Sequence, residues 1–206
     1  MAAAKPWHAV VSHRFMDGLW SGKLDPAVLG DRLVQGQRVL DATLALMGAT
    51  VAAADRPASR VVHARRLGLV AGPETGYLSR AMDVLDVPLD DRTHPNLHPA
   101  TRELLDLLHV TRRGGDYVRC VTLLLASDWL HLEWATRPDA EPPTEPLRRE
   151  WIELHRGAAA EAWVSFLRVE VDRLAAALDD AGRASIAALF TRTVELELGL
   201  LDAAYT

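Results

Sequence analysis

Residues 116–134 read Asp116-Tyr-Val-Arg-Cys-Val-Thr-Leu-Leu-Leu-Ala-Ser-Asp-Trp-Leu-His-Leu-Glu-Trp134. Asp116 is a cap residue ahead of a block of leucines, which predicts a helix running through Trp134 to Pro138. Its apolar positions are too many for a single stripe, so the helix is expected to be buried on more than one side, among other helices. Ser127 and His131 are four apart and share a face, Trp134 lies on the same side, and Asp128 sits one step round. A buried polar group without a partner costs on the order of 1–3 kcal/mol. Either Ser127 and His131 are a small packing residue and a satisfied histidine, or they line a pocket.

Outward from this helix the chain keeps the same character. Apolar residues recur at spacings of three and four, and alternating strand-like runs are absent. Asp25-Pro26 opens a helix to about Ala54, Pro57 opens another, and Pro99 opens a third that stops near Gly114-Gly115. The stretch 139–146, with Pro142-Pro143, is the clearest loop, and 88–99 is a second irregular stretch. A short helix carries Trp151 to His155. Two long helices, about 158–179 and 182–204, close the chain around a hinge at Asp179-Asp180-Ala181-Gly182. The last bears a broad face that includes Ile186, Leu189, Val194, Leu196 and Leu201. Seven to eight helices over residues 1–206 predict one all-α domain.

Composition bounds the function. Of 206 residues 49% are hydrophobic and 25% charged, an ordinary globular balance. Lys and Arg number 23 and Asp and Glu 28, a formal charge of −5, which argues against a nucleic-acid partner. The single cysteine, Cys120, excludes an internal disulfide and a cysteine-based zinc site. No stretch approaches the roughly 20 apolar residues of a membrane span. The N-terminus, Met1-Ala-Ala-Ala-Lys-Pro6, lacks the apolar core of a secretory signal. A cytoplasmic protein without a membrane partner is expected.

Other polar residues invite the same two readings. Trp151 and His155, four apart, form a packed lid or one wall of a pocket. Glu197, between Leu196 and Leu198, faces inward or belongs to a solvated stripe with Glu195 and Asp202. Inside, it would be paired or would carry a raised pKa. Gly36, between Gln35 and Gln37, weakens its helix by roughly 1 kcal/mol against Ala and marks a close approach to a helix or a ligand. There is no phosphate-binding glycine loop and no His-Glu-x-x-His set. Ser127 in mid-helix lacks the strained turn of a nucleophile elbow.

The order of motifs resembles the TenA / thiaminase II family over nearly the whole chain. The matching blocks are His13-Arg-Phe15 with Gly22-Lys-Leu24 and Gln35, then Gly115-Asp-Tyr117 into Leu125-Ala-Ser-Asp-Trp129, then Trp151-Ile-Glu-Leu-His155, and finally Glu195-Leu-Glu-Leu198 with Asp202-Ala-Ala-Tyr205. The resemblance implies a haem-oxygenase-like helical bundle, a central small-molecule pocket and a homo-oligomer, dimer or tetramer. It also implies departures. Ser127 stands where the family has its nucleophilic Cys, Gly36 where it has the pyrimidine-binding Asp, and Val39, Leu104, His131 and His155 where it has tyrosines. Glu197 and Trp129 are unchanged. A serine hydroxyl is a far weaker nucleophile than a thiolate near pH 7, so ordinary thiaminase chemistry is not expected. Related iron enzymes suggest Glu74 as a ligand, but the matching histidine is Ala81, and His8 and His13 do not fit a haem site; no metal or cofactor is expected.

The resulting expectation is a divergent family member acting on a small organic molecule in specialised metabolism. Its catalytic acid/base set is Glu197 with His131 or His155, together with Ser127. Gln35, Gly36, Gln37, Val39, Leu104, Asp128, Trp129, Tyr117 and Trp151 are the expected substrate contacts, with Gly36 and Leu104 enlarging the cavity. The alternatives are a non-catalytic binding protein and residual salvage of thiamine pyrimidine.

Overall fold

A computed structural model describes residues 3–138 and 140–206. Among the described residues there is no strand. The helical segments run α1 (Ala4–Val11), α2 (Arg14–Trp20), α3 (Pro26–Ala53), α4 (Pro57–Ala71), α5 (Pro73–Val84), α6 (Leu89–Thr93), α7 (Pro99–Gly114), α8 (Tyr117–Ala135), α9 (Pro146–Leu154), α10 (Ala158–Ala175) and α11 (Asp180–Ala203). The expected all-α class holds. Eight segments are nine residues or longer, and α1, α2 and α6 are short additions.

Local chemistry sets most boundaries. Asp25 accepts from the Ala27 amide at 2.8 Å and Pro26 takes the first helical position of α3. Asp116 accepts from the amides of Val118 and Arg119, which fixes the start of α8. Gly115, at φ 63°, supplies the left-handed residue that ends α7 and turns the chain into α8. Asp116→Ala is expected to cost about 1 kcal/mol. A lowered urea midpoint at unchanged slope would register it.

Some boundaries differ from those read in the sequence. The segment opened by Pro57 divides at Gly72-Pro73, because Pro73 has no amide to continue α4 and instead starts α5. The helix bearing Trp151 begins earlier, at Pro146, where Glu145 caps it by accepting from the amides of Leu147 and Arg148. Asp179 caps α11 rather than lying inside a hinge. The irregular stretch 88–99 contains α6 and is tied back to α3. There Gln35 bonds the Asn96 carbonyl, the His98 amide and Thr101, while Asp31 bonds His98 at 3.0 Å. Of the loop read over 139–146, Asp139 lies outside the described residues, as do Met1 and Ala2 of the terminus, and 140–145 carry no helix.

The bundle is organised around α8, which packs on α10 and α11, while α3 packs on α4, α5 and α7. Twelve of the 19 residues of α8 are buried, as its leucine block requires. Two apolar clusters result. One gathers α1, α2, α5 and α9 around Phe15, Tyr77, Trp134 and Trp151. The other gathers α7, α8 and α10 around Leu104, Leu124, Trp163 and Leu167. At roughly 1.5–3 kcal/mol per fully buried side chain, these clusters dominate the favourable side of folding. Among the described residues no helix is long and apolar enough to cross a membrane.

Candidate active site

Between the two clusters lies a cavity of about 130 Å³. Nine of the described helices contribute to its wall: α1, α2, α3, α4, α5, α7, α8, α9 and α11. Leucines such as Leu33, Leu104, Leu108 and Leu123 are the commonest residues of its wall, with Trp134 and Trp151 as the aromatic side. An apolar cavity with a few convergent polar groups is the expected form of a small-molecule site.

The polar groups meet through helix periodicity. Ser127 and His131, one turn apart on α8, face Glu197 on α11. The Ser127 hydroxyl donates to Glu197 Oε1 at 2.7 Å. Glu197 Oε2 lies 3.8 Å from His131 Nε2, an ion-pair distance rather than a hydrogen bond. From α9, His155 lies against His131, with ring centroids 4.8 Å apart. The indole N–H of Trp151 donates to His155 Nε2 at 3.1 Å. That bond leaves the proton of neutral His155 on Nδ1.

Charge follows from these contacts. Burial by itself would raise the Glu197 carboxyl, yet His131, Arg32 and the Ser127 hydroxyl outweigh it and bring the value to about 2. Burial disfavours the His131 imidazolium, but Glu197 and then Asp128 more than offset it, so His131 is raised. His155 is pushed well down by burial, then by the positive charges of His131, Arg66 and Arg32. The group therefore holds a carboxylate that favours the His131 imidazolium, beside a His155 whose imidazolium is strongly disfavoured.

Two further residues complete the site, and the sequence reading missed both as substrate contacts. Glu74, in the first turn of α5, lines the cavity and hydrogen-bonds no described residue; its nearest cation, Arg66, is 3.9 Å away. Burial raises its carboxyl, Arg66 opposes this, Asp128 reinforces it, and the result is about 7. Arg32 on α3 also lines the cavity, with its guanidinium facing Trp151 at 5.9 Å. The signal for Arg32 was present: it lies one turn before Gly36, and a Cβ at position 36 would come within 2.8 Å of Arg32 Nη1. Gly36 lines the cavity and leaves room beside it for the guanidinium.

All four expected acid/base residues, Ser127, His131, His155 and Glu197, line this one space, together with Gly36, Val39, Leu104, Asp128 and Trp151. Four expected contacts do not. Gln35 and Gln37 flank Gly36 and are each rotated by about 100° away from it. Gln35 is spent on the 96–101 segment. Trp129, two residues past Ser127, points to another side of α8 and packs between Trp7 and Phe190. Tyr117 is ten residues, about 15 Å, up the helix from Ser127. It belongs to a separate buried network, where its hydroxyl meets His63 at 2.9 Å and donates to Glu170 at 2.8 Å. Among the described residues no three His, Cys, Asp or Glu side chains are arranged to hold a metal ion.

The TENA/THI-4/PQQC family model matches residues 1–206. No curated protein matches the chain by sequence. Several solved structures do match by shape. A TenA homologue from P. horikoshii OT3 has a TM-score of 0.81 at 18% identity, over 99% of this chain and 94% of that one. A TenA family transcription regulator from Silicibacter sp. has a TM-score of 0.85 at 17% identity, over 99% and 93%. A TenA homologue from Pyrococcus furiosus has a TM-score of 0.82 at 14% identity, over 98% and 95%. At these identities the likeness is one of fold, the helical haem-oxygenase-like bundle.

Proposed function

Because the chain belongs to the TENA/THI-4/PQQC family, which includes thiaminase II and related enzymes, we propose that its cavity is a metal-independent acid/base site. It acts on a small organic molecule, in specialised metabolism, without ordinary thiaminase chemistry. One observation carries this reading: Ser127, Glu197 and His131 form a continuous polar chain on the wall of a mostly apolar cavity.

The roles follow from proton affinity. Glu197, held near 2, is too weak a base to take a proton at neutral pH. It serves as the fixed counter-charge that keeps His131 protonated. His131 is the proton donor. Glu74, near 7, exchanges a proton most readily at working pH and is the general base or acid. His155 offers its Nδ1–H as a hydrogen-bond donor, since Trp151 occupies its other nitrogen. Ser127 positions Glu197. Attack by Ser127 on a pyrimidine is disfavoured, because the carboxylate beside it is held far below the basicity needed to activate a hydroxyl.

A second reading, a binding pocket without turnover, draws on one specific contact: Ser127 and Glu197 satisfy each other at 2.7 Å. Incubation of the protein with cell metabolite extracts separates the two. An enzyme depletes one compound and accumulates another; Glu74→Gln and His131→Phe are each expected to cut that conversion by roughly 10²–10⁴-fold. Retention of a compound without conversion identifies a binder. Release of hydroxymethylpyrimidine from aminopyrimidine substrates would restore the salvage activity and overturn the proposal.

A further inference from the structure

Arg32 is the unbalanced charge of the cavity. Every other charged group on or beside it has a counter-charge. His131 has Glu197 at 3.8 Å, and Arg66 has Asp128 at 3.5 Å and Glu74 at 3.9 Å. Arg32 makes no hydrogen bond and no ion pair with any described residue, and its Nε is buried without a partner. The two carboxylates whose charge reaches it are committed elsewhere: Asp31 to His98 at 3.0 Å and Glu197 to Ser127 and His131. A desolvated guanidinium without a partner is costly, and a protein retains one where something else supplies the anion.

The backbone is adapted to that cation. Position 36, one turn on from Arg32, is glycine, and a Cβ there would lie 2.8 Å from Nη1, so the tip of the Arg32 side chain would have to shift. The guanidinium faces the ring of Trp151 at 5.9 Å, in a cavity whose lining includes many leucines. A planar fork of donors beside an apolar space matches a carboxylate bidentately, with room for one small hydrocarbon or aromatic body. A phosphate group would call for more donors than this single fork supplies.

Resting on the acid/base reading of this cavity, we infer that its ligand is a small organic monocarboxylate, seated with its carboxylate on Arg32 and its apolar body between Trp151 and the leucine wall. The rest of the ligand then shares the cavity with Glu74 and His131.

The test uses benzoate, butyrate and acetate, their neutral primary amides, and inorganic phosphate, with binding measured by calorimetry and the His131 imidazole followed by NMR. Benzoate is expected to bind at least about tenfold more tightly than benzamide and to shift the His131 signals. Arg32→Met is expected to erase that preference while keeping the fold, as read by an unchanged circular dichroism spectrum, because no hydrogen bond or ion pair to a described residue is removed. Gly36→Ala replaces a helix-weakening glycine, so it keeps the fold, yet it displaces the guanidinium and is expected to reduce the preference. Equal binding of benzoate and benzamide, with His131 perturbed by both, overturns the carboxylate inference and leaves the acid/base cavity standing. Failure of every carboxylate and amide at millimolar concentration to perturb His131 overturns both. Phosphate binding more tightly than any carboxylate reassigns Arg32 to a phosphoryl ligand.

Discussion

Glu74→Gln is expected to stabilise the protein by up to about 3 kcal/mol above pH 8 and to change nothing below pH 4.5. In the unfolded chain this carboxyl ionises at the ordinary value of 4.5; in the fold it ionises at about 7. Below the first value both states hold the proton. Between the two the fold keeps a proton that the unfolded chain has lost, so native stability declines as pH rises from 4.5 through 7. Beyond that the loss is complete. Glutamine mimics the protonated carboxyl and cannot ionise, so it removes the pH-dependent loss. Urea midpoints of both proteins across pH 4–9 measure the effect. A constant offset between them, independent of pH, would mean that the Glu74 carboxyl is solvated or paired. A stabilising mutation that abolishes turnover is the signature of a group kept for function at the expense of the fold.

Glu197→Gln works in the opposite sense. The carboxyl is 6% exposed and held near 2, so its interactions contribute about 3 kcal/mol at neutral pH. That contribution is present above 4.5 and is lost as pH falls from 4.5 through 2. Gln keeps an acceptor for the Ser127 hydroxyl but removes the charge facing His131. The variant is expected to lose about 3 kcal/mol at pH 7 and to match the parent protein near pH 2, if both remain folded there. The penalty does not grow to that of a stranded imidazolium, because His131 discharges instead. Stability and histidine titration report the same coupling and are not additive.

The fold was legible because local and long-range signals agree. Asp116 ahead of a leucine block, Asp25-Pro26, and Gly115 between α7 and α8 mark ends that side chains and φ angles then enforce. The Gly72-Pro73 break was less legible, since the apolar pattern runs across it and only the missing Pro73 amide stops the helix. In the site, spacing located Ser127, His131, Trp151 and His155, because residues one turn apart share a face whatever surrounds them. Glu197 stood out as a carboxylate between leucines. Trp129 and Tyr117 were misplaced for the same geometric reason. Proximity in a sequence motif is not proximity on a helix, where two residues rotate a side chain by about 200°. Arg32 and Glu74 were not legible as substrate contacts: Glu74 stood out only as a ligand that related iron enzymes suggest, and Arg32 looks like a surface residue on its own helix. Gly36 leaves space for the Arg32 guanidinium. Glu74 is buried only once α5 has packed on α3 and α9.

The central claim is that Glu197 and His131 form one charged pair inside the cavity. NMR titration of the His131 imidazole, in the parent protein and in Glu197→Gln, tests it most directly. The account predicts a value above the ordinary 6.5 in the parent and below it in the variant, where burial and Arg32 are opposed only by Asp128. A His131 that titrates at the same pH in both proteins would contradict it.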